Sequence, residues 1–193
     1  MKITLIQGHP DPAGGHFGHA LAEAYARAAT DAAHEVRTIE VARLEFPLLR
    51  SAADWKNGAP APSIREAQAS IAWAEHLVIF FPLWLGDMPA LLKGFLEQVL
   101  RPGFAIGAAA PRRMPKKLLK GRSARIVVTM GMPAFFYRLY YRAHSVNSLK
   151  RNILESCGFS PVRASLVGTV EGSSRNAHER WLAKMETFGR AGT

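Results

Sequence analysis

Cysteine is almost absent from this chain of 193 residues. Cys157 stands alone, so no intramolecular disulfide can form, and neither a Cys-x-x-Cys pair nor a clustered His/Cys spacing offers a metal site. The expectation is therefore no metal and a reducing, cytoplasmic setting. Long apolar runs are missing as well. No segment approaches the roughly 20 apolar residues of a membrane helix. Met1-Lys2 leads straight into the short apolar stretch from Ile3 to Ile6, which lacks the form of a signal peptide. Stable insertion in a membrane is not expected. Negative charge is missing from one region in particular: between Glu97 and Glu155 there is no acidic residue and there are 12 basic ones, Arg101, Arg112, Arg113, Lys116, Lys117, Lys120, Arg122, Arg125, Arg138, Arg142, Lys150 and Arg151. The formal charge of +10 belongs to this half of the chain. Such a field draws anionic partners: a dinucleotide, a flavin phosphate, a nucleic acid or an acidic membrane surface.

What is present reads as one α/β domain spanning 1–193. Five segments have the composition of strands: Lys2 to Gln7, His34 to Val41, His76 to Phe81, Ala124 to Thr129 and Val162 to Val167. Between them lie helical patterns. Phe17, Leu21, Tyr25 and Ala28 share one face of the first. Ser63, three residues before Glu66, has the form of a capping box, Pro89 suits a first helical position, and Ser145 to Ser156 and Ser174 to Phe188 follow. Phe46 to Pro62 and Pro102 to Arg122 read as irregular connections. Strands alternating with helices require right-handed crossovers, hence a doubly wound parallel sheet. A sheet of order 2-1-3-4-5 brings the loops after strands one, three and four to one rim, its topological switch point.

Those loops hold the candidate site. The first, Gly8 to His16, carries neither a phosphate-loop lysine nor the Gly-x-Gly-x-x-Gly spacing, which argues against a nucleotide triphosphatase and a dinucleotide-binding Rossmann domain. It still places the amides of Gly14, Gly15 and His16 just before a helix N-terminus, where an anion is favoured, with His9 or His16 as a further donor. The second, Pro82-Leu83-Trp84-Leu85, is flat and apolar, suited to a planar ring. The third runs through Thr129, Met130, Gly131 and Met132 to the aromatics at Phe135, Phe136 and Tyr137, a pattern on which unpaired bases could also stack.

Taken together, Gly8-His9-Pro10-Asp11-Pro12, Ile79 to Trp84 with Pro89 to Gly94, and Thr129-Met130-Gly131 make the chain resemble the NAD(P)H:quinone oxidoreductase family of flavodoxin-like flavoproteins. That family includes modulator-of-drug-activity enzymes and the ancillary subunit of potassium efflux systems. The resemblance implies a homodimer that binds FMN or FAD, with FMN preferred, and oxidises NAD(P)H in favour of a quinone or similar acceptor. By position it implies that His9, Gly15, His16 and Phe17 hold the phosphate end. Pro82, Leu83, Trp84 and Leu85 hold the isoalloxazine, and Thr129 to Met132 line its pyrimidine edge. Tyr137 and His144 are implied as the catalytic donors to the acceptor. The chain departs from the family pattern in a first loop two residues longer, in Leu85 where relatives have an aromatic, and in His144 one residue beyond the usual spacing. Charge alone favours NADPH over NADH. The competing readings are a flavodoxin-type electron carrier or regulatory flavin subunit, against which +10 speaks, and a nucleic-acid binder, not expected as a partner.

Overall fold

The structure, a computed structural model, describes residues 1–107 and 115–193. Arg112 and Arg113 of the basic stretch lie outside the described residues. At the centre is β3 (His76–Pro82), every residue of which except Pro82 is buried, as an unbroken apolar run requires in the middle of a parallel sheet. It is flanked by β1 (Lys2–Gln7) and β4 (Ser123–Thr129), and these by β2 (Glu35–Glu40) and β5 (Val162–Val167). All pairings are parallel and the order is β2-β1-β3-β4-β5, as expected from the sequence.

Side chains alternate across each strand, and the two faces build two cores. Ile6, Ile79, Phe81, Ile126 and Val128 meet α3 (Pro62–Trp73), α4 (Ala90–Val99) and the helical run His144–Cys157. Leu5, Val78, Phe80, Val127 and Val167 meet α1 (Phe17–Asp31) and α8 (Arg175–Ala191). These two helices approach so closely that a Cβ on Gly189 would stand 2.3 Å from the Tyr25 carbonyl oxygen.

Four local expectations are corrected. Ser63 does not cap α3: its hydroxyl donates to the Glu45 carbonyl, Ala61 takes the cap position, and Pro62 opens the helix, where its missing N–H costs nothing. Pro89 likewise sits one step before α4, at the cap. The connections contain short helices, α2 (Ala52–Asn57) and α5 (Ala134–Leu139), too short to show a periodicity. The run expected from Ser145 to Ser156 is α6 (His144–Asn147) and α7 (Glu155–Cys157) joined by a wider π-helical stretch, Ser148–Leu154.

The basic stretch also proves less of a surface field than its composition implies. Arg101 is buried and donates to the carbonyls of Asp54 and Gly58 at the end of α2. Arg122 donates to the Ala72 carbonyl near the end of α3, and Lys117 to that of Glu155 in α7. These cations meet the negative ends of helix dipoles. Arg125 is buried, donates to Ser165 and the Thr193 carbonyl, and lies over the Phe188 ring at 3.6 Å.

At the amino end of β3, His76 is enclosed beside this arginine. One ring nitrogen pairs with the Ser123 hydroxyl at 2.7 Å and the other has no partner. Burial, then the charges of Arg125 and Arg163, lowers its pKa to about 4. The unfolded chain therefore takes up a proton at this residue near pH 6.5 while the fold refuses it until about pH 4. Stability is lost as pH falls through that window, by about 3 kcal/mol in all. Urea unfolding at pH 7 and pH 4.5 is expected to show a drop about 2 kcal/mol smaller in His76→Asn than in the natural chain.

Candidate functional site

The loops leaving the carboxyl ends of β1, β3, β4 and β5 enclose a cleft of about 460 Å³. His9, Gly15, His16, Phe17, Pro82, Leu83, Trp84, Thr129, Met130 and Gly131 line it, so ten of the residues singled out in the sequence come to one place. Leu85 and Met132 do not: Leu85 stands fully exposed at the tip of its turn, and Met132 packs partly against the core. Gly18, Val170 and Glu171 also line the cleft and were not foreseen. The last two follow β5, whose loop reaches the same rim beside that of β4. Neither residue type carries a signal of its own.

One end of the cleft is a set of free donors. α1 begins at Phe17 with no side chain capping it, and the amides of Gly14 to Phe17 donate to no acceptor among the described residues. Gly14 and Gly15 have φ of +75° and +78°, backbone that only glycine adopts without strain, and this turn aims the amides outward. His9 completes the set. It is buried, and its Nδ1 accepts the Asp11 N–H at 3.1 Å, which places the proton of the neutral ring on Nε2 as a donor. Burial first, then His16 and His19, lowers its pKa to about 4, so near neutrality it is an uncharged donor. His16 stacks on it at 4.0 Å and pairs through Nε2 with Asp11 at 2.8 Å. That hydrogen bond holds the Asp11 carboxyl below the usual range. An anion and an uncapped helix of 15 residues complement each other here.

The three histidines 9, 16 and 19 do not make a metal centre. Their neighbouring rings pack against one another, Asp11 occupies a nitrogen of two of them, and no metal-holding group of three ligands occurs among the described residues.

The other end is flat. Trp84 is half-exposed and meets the His9 ring edge-on at 5.8 Å. Its amide and carbonyl both bond to Asp87 across a tight turn, at 2.8 and 2.9 Å, which puts Leu85 at φ +50°. A non-glycine residue held there stores strain of about 1 to 2 kcal/mol, of a kind that concentrates at functional sites. Across from it, the Met130 amide donates to Val167, so the third loop offers the amides of Gly131 and Met132 as its free donors rather than the whole set from Thr129. A Cβ on Gly131 would meet nothing within 4 Å, which marks open cleft.

Tyr137 and His144 lie outside the lining. Tyr137 is enclosed, with its hydroxyl accepting from the Val146 amide at 3.4 Å, and burial raises its pKa. Its phenol faces the core and not the cleft lining. His144 is exposed beside Gly86, with its Nδ1 donating to the Tyr141 carbonyl at 2.9 Å. Its Nε2 is therefore an acceptor when the ring is neutral and a donor when it is protonated.

With this geometry in place, the comparisons decide the family. A family model described as flavodoxin-like fold matches residues 1–188. The chain belongs to the flavodoxin-like fold family. Among its relatives, the human ribosyldihydronicotinamide dehydrogenase (quinone) is 34% identical over 146 residues, 69% of this chain and 61% of that protein. The rat NAD(P)H dehydrogenase (quinone) 1 is 28% identical over 151 residues, 74% of this chain and 54% of that one. This flavodoxin-like chain thus spans a little over half the length of those relatives. A solved structure of a Streptococcus mutans protein, Smu.1420, superposes with a TM-score of 0.81 at 26% identity, covering 99% of this chain and 100% of that one. No helix among the described residues is long and apolar enough to cross a membrane.

Proposed function

We propose that this chain is a single-domain, flavin-dependent NAD(P)H oxidoreductase that reduces a quinone or similar acceptor. The observation that carries the reading is the cleft itself: one cavity with an anion-binding end, a flat aromatic flank and, across from it, the free amide of Gly131. These match a phosphate, a tricyclic ring and that ring's polar edge. The names of the human and rat relatives support the same activity. FMN is proposed ahead of FAD as the cofactor.

When bound, the flavin supplies the redox chemistry, taking a hydride from NAD(P)H and passing two electrons on, so that NAD(P)H, a proton and a quinone yield NAD(P)+ and a hydroquinone. The chain's own part is positional and electrostatic. His9 and the amides of Gly15 to Phe17 hold the phosphate. Trp84 and Leu83 fix the ring plane. Gly131 places its N–H dipole along one edge, where a fixed donor stabilises developing negative charge without reorganising. His144, whose Nδ1 is bound to the Tyr141 carbonyl, has its Nε2 free to exchange a proton with an acceptor oxygen.

The reading includes a homodimer. Trp84 and Leu85 after β3, and Phe135, Phe136, Leu139 and Tyr140 after β4, are exposed apolar side chains of the sort that an interface covers. A cytoplasmic setting accompanies it.

The test is direct. Purified protein is expected to be yellow, to release a flavin on denaturation that mass spectrometry identifies, and to oxidise NADH or NADPH with a soluble quinone. Flavin without turnover would assign the chain to the electron carriers. A colourless protein with no affinity for added flavin would overturn the reading.

A further inference from the structure

Backbone strain gathers in the loops after β3 and β4. Among the described residues five that are not glycine have positive φ, and three of them, Leu85 at +50°, Arg142 at +52° and Ala143 at +46°, lie in those two loops. A Cβ makes left-handed backbone costly, and two such residues in succession persist only where the surroundings hold them. Arg142 and Ala143 make the reversal between α5 and α6 that delivers His144 to the tryptophan-bearing turn. Local bonds brace it. The Ala143 amide donates to the Tyr137 carbonyl and the His144 amide to that of Tyr141, both at 3.1 Å, and the Asn147 side chain donates to the Arg142 carbonyl at 2.8 Å.

Those bonds shape the reversal without tying it to the other loop. Ser145 does that: it is buried, and its hydroxyl donates to the Asp87 carboxylate, the one side-chain hydrogen bond between the two loops among the described residues. The same carboxylate oxygen accepts the Met88 amide at 2.7 Å, which fixes its direction. Beside this contact the His144 ring lies over Gly86, where an added Cβ would stand 3.9 Å from Cε1 and 4.0 Å from Nε2. One four-residue turn thus bears Trp84 at its start and the imidazole against its middle.

The two sides would respond differently to loss of the contact. The turn is closed by its own pair of backbone bonds between Trp84 and Asp87, whereas the reversal before His144 is strained and relaxes once released. We propose that Asp87 and Ser145 are positioning residues, whose hydrogen bond holds the strained reversal against the tryptophan turn and so fixes where His144 Nε2 stands relative to the ring plane set by Trp84 and Leu83. A proton passes to an acceptor oxygen only within hydrogen-bond reach, so a displacement of about 1 Å at this ring slows that step. The task of His144 rests on the function proposed above; the link between the loops does not.

Two measurements separate the task from the link. In Asp87→Ala, exchange of the Ala143 and His144 amides with deuterated water, followed by NMR, is expected to run about tenfold faster than in the natural protein, although the substitution lies in the other loop. Ser145→Ala is expected to do the same, and the double variant to add nothing further. With flavin added in excess, anaerobic reduction by NADH is expected to keep its rate in each variant, while reoxidation by a soluble quinone slows about tenfold. Reoxidation by ferricyanide, which takes electrons and no proton, is expected to stay unchanged, which also reports an intact fold. Asp87→Asn keeps an oxygen for Ser145 and Met88, and is expected to restore the quinone rate to within about threefold of the natural one. Unchanged amide exchange in Asp87→Ala overturns the link. Faster exchange with an unchanged quinone rate, or a loss shared equally by quinone and ferricyanide, overturns the positioning role. A natural protein without any flavin sinks the redox reading and the task of His144 with it, and the exchange comparison still decides the link.

Discussion

Replacing His9 with alanine is expected to weaken binding of FMN to the flavin-free protein by roughly 10- to 100-fold, the loss of one hydrogen bond to a charged group. The imidazole is pre-set for that bond. Its Nδ1 is committed to the Asp11 amide, so Nε2 carries the hydrogen, and enclosure keeps the ring neutral. A second ring proton would have to displace the Asp11 N–H from Nδ1, so the ring is expected to stay a neutral donor above about pH 4, and the His9→Ala penalty on FMN affinity to be the same at pH 7.5 and 8.5, where the phosphate also stays a dianion. Riboflavin, which lacks the phosphate, separates this role from a general disturbance of the cleft: its affinity is expected to be equal in both proteins. Quenching of flavin fluorescence measures all four affinities, and an equal loss for riboflavin would remove His9 from the phosphate.

The second large effect concerns a residue no motif marks. Gly168 follows β5, and a Cβ there would stand 2.3 Å from the Ala134 amide nitrogen and 2.9 Å from the Met132 carbonyl oxygen. These are backbone atoms, so the loop after β4 must move as a body. Gly168→Ala is expected to cost about 3 kcal/mol, at the upper end for overpacking. That lowers Tm by about 6 to 12 °C for a chain of this size. It also shifts the Gly131 and Met132 amides, so flavin content falls with it. Gly131→Ala is the counterpart: it has open space and an ordinary backbone conformation, so Tm is expected to hold while flavin affinity drops because the methyl group intrudes on the cleft. Calorimetric melting and flavin titration of the two variants distinguish support for the loop from contact with the ligand. A Gly168→Ala protein as stable as the natural one would show that the loop yields freely.

The sheet and three of the four loops were legible because their signals are local. A buried parallel strand is a short apolar run, a turn before a helix carries Gly14 and Gly15, and strand order then follows from the crossover rule. Val170 and Glu171 escaped because their position at the rim depends on β5 lying beside β4, which no residue type announces. The use of the basic stretch was also hidden. Composition shows charge, whereas partnership with the carbonyls ending α2, α3 and α7 depends on where the chain folds back. Tyr137 shows the same limit: its spacing fits the family motif, yet the short helix α5 turns it inward.

The widened helical stretch at Ser148–Leu154 has a geometrical consequence for the mouth of the cleft. Leu149 and Leu154, five residues apart, are both buried there, and upstream Ser145 donates to the carboxylate of Asp87, whose backbone closes the tryptophan-bearing turn. An ordinary helix of the same length would be out of phase by one residue, about 100° of rotation. His144 and Ser145 would then swing away from Asp87 whenever the leucines were seated. The surplus residue lets one continuous rod satisfy two angular demands, gripping the interior at its far end while presenting its first turn to the opening.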